Sequence, residues 1–285
     1  MRRGLKDYLA EMLEPWELSL LYRSYDVVGD IAVIRVPPAL KHRMKDVAEA
    51  VVQTNKHVKT VLCQSSPVQG DLRLRELEWV AGERKTETIH KEWGCVFKVD
   101  LARCYFSPRL SYERMRIASQ VKPYETVTNM FAGVGCFSIV IAKHAKPAKV
   151  YSIDINPVAV RYARENVCLN KVGHIVEVIE GDSKTVIVKQ QQNTVDRVLM
   201  PLPEKAYEYL EYALAALKPD GGAIHYYDFV HAGKDENPVD KIRRKVAGRL
   251  KELGADFDLT FGRIVRTVGP RWFQIVVDIR VYTKR

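Results

Sequence analysis

The chain has 285 residues, 47% of them hydrophobic, enough for two domains that each bury a core of their own. Its formal charge of +10 and pI near 9.3 are spread along the sequence and not gathered in a tail, so a polyanion such as nucleic acid leads the candidate partners. Five cysteines never closer than nine positions exclude a zinc knuckle and a disulfide framework, and no apolar run reaches the length of a membrane span.

The first segment, MRRGLKDYLAEML, carries charges through its apolar positions and lacks the core of a signal peptide. The expectation is a cytoplasmic protein with no metal, no membrane contact and no evident protein partner. In chain order, YDVVGDIAVIRVPP reads as a hairpin with Gly29-Asp30 at its turn, residues 39–53 have helical spacing, and HVKTVLC (57–63) reads as a strand. Residues 70–94 interleave Arg73, Arg75, Arg84 and Lys85 with Trp79 and Trp93, which by composition is a solvated amphipathic hairpin.

From about residue 107 strands and helices alternate, the pattern of a parallel sheet covered on both faces. Strands are expected at 126–131, 148–154, 174–180, 195–200 and 222–230, with helices at 136–145, 157–170, 203–218 and 237–253. The last helix has Val239, Ile242, Val246 and Leu250 on one side. Two strands joined at Gly269-Pro270 then close the sheet edge as an antiparallel hairpin. The fold class is therefore α/β, a Rossmann-like, mostly parallel C-terminal domain (107–285) behind a smaller α+β domain (1–106).

Ligands of such sheets bind beyond the carboxyl ends of the strands. There, NMFAGVGCFS (129–138) places Gly133 and Gly135, where a side chain would hold the backbone away from a ligand. A dinucleotide fingerprint needs a third glycine where this chain has Ser138, which disfavours a nicotinamide enzyme. At the end of the second strand, Asp154 in IDINP is placed to accept both hydroxyls of a ribose, while Asn156 and Pro157 already make sense as an N-cap and first helical residue. At the third strand end, Asp182 in EGDS is either an acceptor for an adenine amino group or a solvated turn residue. A glycine loop, an acid and an acid on successive strand ends form the arrangement that holds S-adenosylmethionine.

The segments YFSPRLSYERMRIA (105–118), MFAGVGCFSI (130–139), YSIDINPVAV (151–160), CLNKV (168–172) and GGAIHYYDF (221–229) resemble the archaeal and eukaryotic family that methylates N1 of guanosine 37 in tRNA. Residues 70–94 are similar to that family's middle domain, and since the chain starts where the middle domain would, the expectation is that the small elbow-binding domain of many members is absent. The resemblance implies a class I, S-adenosylmethionine-dependent enzyme acting on the tRNA anticodon stem-loop. It implies Glu113 as general base and Arg73 as the cation at guanine O6, with Arg75 as the alternative register. It places Tyr105 and Arg109 near the cofactor and the flipped guanosine, and Asn129, Phe131, Gly133, Gly135, Asp154, Ile155, Asn156, Asp182, Met200 and Pro201 around the cofactor. On residues alone, Glu113 reads first as half of a surface i, i+3 pair with Arg116.

Two positions depart from the family pattern: Asn129 stands where an aspartate is usual, and Pro201 where an asparagine is usual. Three other readings stay open. One is the sister family that transfers an aminocarboxypropyl group to a wyosine precursor at the same position, from which residues 72–78 and 107–110 point away. The others are methylation of both guanosine and a wyosine intermediate, and a tRNA-binding protein that has lost its chemistry.

Overall fold

Gly29 takes a left-handed φ of 56° between β1 (Asp26–Val28) and β2 (Ile31–Ile34), and a Cβ there would fall 2.1 Å from the Thr88 hydroxyl. The expected hairpin forms because glycine alone satisfies both the turn and this close approach. In this computed structural model, residues 5–22, 24–67, 70 and 72–282 are described, and the chain divides into two units, Met1–Pro108 and Arg109–Arg285.

In the first unit, α1 (Leu5–Leu9), α2 (Pro15–Leu20) and α3 (Met44–Thr54) accompany β3 (Thr60–Gln64) and β4 (Leu77–Gly82). The sheet order is β1-β2-β3-β4, with β2 and β3 parallel. Val47, Ala48 and Val51 of α3 pack with Ala32, Ile34, Val61 and Val80 of the sheet. The segment 70–94 is not one hairpin. Its first part, β4, pairs with β3, which buries Val80 in this core, while β5 (Glu87–Glu92) pairs with β6 (Cys95–Asp100) across a turn at Trp93-Gly94 where both residues have positive φ.

The second unit opens with α4 (Ser111–Ala118) and alternates β7 (Thr126–Asn129), α5 (Cys136–His144), β8 (Lys149–Asp154), α6 (Pro157–Leu169) and β9 (Val176–Glu180). It continues with α7 (Ser183–Val186), β10 (Arg197–Met200), α8 (Pro203–Ala216), β11 (Gly222–His231), α9 (Pro238–Glu252), β12 (Phe257–Gly269) and β13 (Trp272–Val281). Seven strands run in the order β12-β13-β11-β10-β7-β8-β9, with β13 antiparallel to both β11 and β12. The strands and helices expected from 126 onward are all present, and α7 with the π-helical turn Ile187–Gln191 is an addition. Ile242, Val246 and Leu250 of α9 are buried against Ile275, Val277 and Ile279, as their spacing requires. The sheet reverses direction of growth between β7 and β10, so the topological switch point falls beside the carboxyl end of β7, where ligands of such sheets bind. No described helix is long and apolar enough to cross a membrane.

Candidate active site

Main-chain hydrogen bonds stitch the three strand ends together. Ala132 N–H donates to Ile153 O at 2.8 Å and Gly181 N–H to Asp154 O at 3.0 Å. Gly133 N–H donates to Asp154 Oδ2 at 2.6 Å, and Asn156 N–H to Oδ1 at 2.9 Å. Burial pushes the Asp154 carboxyl upward, and these N–H groups with that of Ile155 oppose it. Gly135 is the N-cap of α5 with φ 88°, and an added Cβ would meet Ile139 at 3.3 Å.

The expected cofactor residues divide into those left open at the strand ends and those enclosed behind them. Ile155, next to Asp154, is 54% exposed, an apolar side chain left open at the strand end. Phe131 packs edge-on against Tyr209 of α8, with centroids 5.3 Å apart, and Tyr209 OH donates to Asp182 Oδ1 at 3.0 Å. Burial and Asp182 push the Tyr209 hydroxyl up to about 12, so it stays a donor. Asp182 also caps α7 by accepting from Lys184 N–H. Asn156 is the N-cap of α6, accepting from Val158 and Ala159 N–H, and is only 4% exposed. The Met200 side chain is enclosed in the core, and Pro201 lies between β10 and the start of α8.

Asn129 is fully buried beneath α5. Its Nδ2 donates to Ser138 Oγ at 3.2 Å, and Ser138 Oγ donates to Ser152 Oγ at 2.9 Å. Asn129 Oδ1 is a buried acceptor with no partner among the described residues. A residue the sequence did not single out fixes the loop: Asn166 of α6, wholly buried, donates from Nδ2 to Val134 O at 3.0 Å. Its helical position carries no local signal of this contact, 32 positions away.

Glu113 is 1% exposed, so the surface-pair reading fails. The i, i+3 pairing itself is real. Arg116 Nε reaches both Glu113 oxygens at 3.0 Å, and its Nη2 donates to Oε1 at 2.7 Å. Tyr227 OH of β11 donates to Oε1 at 2.7 Å, and Arg263 Nη2 of β12 lies 3.3 Å from Oε2 while its guanidinium stacks over the exposed Tyr112. The Tyr227 ring meets Phe137 edge-on with centroids 6.3 Å apart, and Phe137 follows Gly135 by two residues. Glu113 is therefore tied to the glycine loop through two aromatic side chains. Arg109 is exposed in the turn before α4.

In the first unit, the Arg73 guanidinium stacks on the Tyr105 ring, 4.2 Å from its centroid, joining two expected residues 32 positions apart in sequence. Arg73 has φ 53°, a left-handed conformation that costs a non-glycine residue about 1 kcal/mol or more. Arg75 Nη1 instead donates to Gln64 Oε1. Among the described residues, no group of three or more His, Cys, Asp or Glu side chains is gathered to hold a metal ion.

Residues 88–254 match the model of the TRM5/TYW2 methyltransferase domain, and residues 5–86 that of the TYW2 N-terminal domain. The chain belongs to the TRM5/TYW2 methyltransferase family. Among members of this TRM5/TYW2 family, it is 41% identical to tRNA (guanine(37)-N(1))-methyltransferase Trm5b of Pyrococcus abyssi, over 94% of this chain and 78% of that protein. The crystal structure of that Trm5b superposes with a TM-score of 0.86 at 39% identity, covering 99% of this chain and 82% of the other. The chain is 39% identical to tRNA 4-demethylwyosine(37)-methyltransferase Taw21 of Saccharolobus solfataricus, over 91% and 94% of the two chains. The structure of aTrm5 in complex with tRNALeu gives a TM-score of 0.85 at 34% identity, covering 99% and 79%.

Proposed function

We propose that this protein is a tRNA methyltransferase that modifies N1 of guanosine 37, using S-adenosylmethionine. The observation that carries the reading is a ribose-type acid, Asp154, and a buried carboxylate, Glu113, attached to the same glycine loop. The likeness to Trm5b supports the target atom, and the aTrm5 complex with tRNALeu supports tRNA as partner. The basic charge of the chain suits that polyanion.

The cleft residues fit an adenosyl ligand in chemistry: a carboxylate for vicinal hydroxyls, an exposed Ile155 for an apolar ring face, Asp182 for an exocyclic amine and the orphaned Asn129 Oδ1 for an ammonium. When bound, S-adenosylmethionine supplies an activated methyl group. N1 of guanine carries a proton at neutral pH, so a base must take it as the new N–C bond forms. Glu113 has that role through Oε2, the more loosely held oxygen: Arg116 Nε lies 3.0 Å and Arg263 Nη2 3.3 Å from it, whereas Oε1 accepts from Tyr227 OH and Arg116 Nη2, both at 2.7 Å. Burial and Glu113 push the Tyr227 hydroxyl far upward, so Tyr227 remains a donor that holds Oε1 in place. Arg73 opposes the negative charge that develops on O6. The target base must leave its stack to be reached.

The match of residues 5–86 to the TYW2 N-terminal domain favours a second reading, aminocarboxypropyl transfer to a wyosine precursor, and the likeness to Taw21 favours methylation of 4-demethylwyosine. Incubation with labelled S-adenosylmethionine and unmodified tRNA, followed by nucleoside mass analysis, separates them. One added methyl on guanosine 37 is expected. An aminocarboxypropyl adduct, or reaction only with wyosine-precursor tRNA, would replace the proposal.

A further inference from the structure

Behind Glu113, a line of buried polar groups crosses the sheet of the second unit, and the base reading uses only its first members. Arg116 stands between two carboxylates. Besides its grip on Glu113, its Nη1 donates to Asp278 Oδ2 at 2.6 Å and its Nη2 to Asp278 Oδ1 at 3.1 Å, and its guanidinium lies 5.0 Å from the centroid of the Phe261 ring. All three guanidinium nitrogens are committed, so the plane of Asp278 sets the plane of Arg116, and that plane orients the Glu113 carboxylate.

Asp278 is itself seated from the far side. On neighbouring strands it faces His225 in register, and His225 Nδ1 lies 2.7 Å from Asp278 Oδ1. Arg197 Nη1 lies 2.7 Å from His225 Nε2. An arginine can only donate, so Nε2 is the acceptor and Nδ1 carries the hydrogen that goes to Asp278. His225 is a neutral linker with one donor and one acceptor in use. Arg197 is anchored by Glu125 at 2.7 Å and 3.1 Å and by Gln120 O at 2.9 Å, and Gln120 Nε2 donates back to Asp278 Oδ2 at 3.1 Å.

Such a chain is costly to bury, and apolar side chains of similar volume would serve the core as well or better, so core stability does not explain it. Its members are 1% exposed at His225, 5% at Asp278 and 6% at Arg197, and it terminates on Glu113, whose partner Tyr227 packs on Phe137 beside the glycine loop. We propose that Asp278, held by neutral His225, is a positioning residue that acts through Arg116 to aim Glu113 at the target nitrogen. The inference rests on Glu113 being the base.

The test is single-turnover methyl transfer at saturating tRNA and S-adenosylmethionine, with both affinities measured separately. Misplacing a catalytic group by about 1 Å costs up to about 100-fold, so Asp278→Asn should slow the step by about 10- to 100-fold while changing either affinity by no more than about twofold. His225→Phe should show the same loss. His225→Gln, whose amide can donate and accept at once, should recover most of it. In a Glu113→Gln background, Asp278→Asn should cause no further loss, because the group it aims is gone. A parental rate for Asp278→Asn, a repeated loss in the Glu113→Gln background, or equal rates for the two His225 variants would each overturn the inference. The His225 pair decides the matter if Asp278→Asn does not fold. A parental rate for Glu113→Gln would instead remove the base reading itself.

Discussion

Gly133 and Asp154, at the ends of adjacent strands, are joined by a 2.6 Å hydrogen bond from the glycine N–H to the aspartate carboxylate. One side chain thereby shapes the loop, and in the proposed site its remaining lone pairs accept from a ribose. Asp154→Ala should remove both functions and weaken S-adenosylmethionine binding by about 10- to 100-fold, the scale of one charge-assisted hydrogen bond. Calorimetry checks this, and unchanged affinity would take Asp154 out of the ribose site.

Asn166 supports the same loop from below through Val134 O. Asn166→Leu leaves that buried carbonyl without its donor, at a cost of about 1–3 kcal/mol. The melting temperature should fall, and cofactor affinity should fall with it although Asn166 lies behind the loop. Lower stability with parental affinity would show that the loop keeps its shape without the clamp.

Glu113→Gln keeps the shape of the side chain and removes the proton acceptor. Turnover should drop by about 100- to 10,000-fold, with tRNA affinity little changed. Steady-state kinetics with separately measured affinity distinguishes this from a binding defect, and parental turnover would exclude Glu113 as base.

Glu17 in the first unit gives a pH dependence of stability. Arg43 and the Glu14 N–H hold its carboxyl at about 2, below the ordinary 4.5. A depressed value stabilises the fold above the ordinary value, and that contribution is lost as pH falls through the window from 4.5 to about 2. The melting-temperature gap between the parent and Glu17→Gln should be widest near neutral pH and close across that window. A gap independent of pH would refute the linkage.

Affinity for tRNA should fall with salt through counterion release, by at least about tenfold between roughly 50 and 200 mM. Filter binding over that range tests it, and a flat response would contradict a basic docking surface.

The order of strands and helices in the second unit was legible because each repeats its burial period within a few residues, and the glycine loop and Asp154 were legible because their spacing is local. Residues 70–94 were not, since pairing β4 with β3 and β5 with β6 is a choice among distant partners. Asn129 and Pro201 depart from the family pattern in sequence, but only the fold shows that Asn129 is enclosed with an unmet acceptor.

Glu113 and Arg116 mark the boundary most clearly. Three positions apart on one helix, they meet whatever the rest of the chain does, so the sequence by itself determined the ion pair. Whether that pair faces water or lies locked at a cleft depends on Tyr227, Arg263 and Asp278, more than a hundred positions away. Only tertiary structure decided that, because burial is set by what packs on a helix, and helical periodicity does not encode the partner.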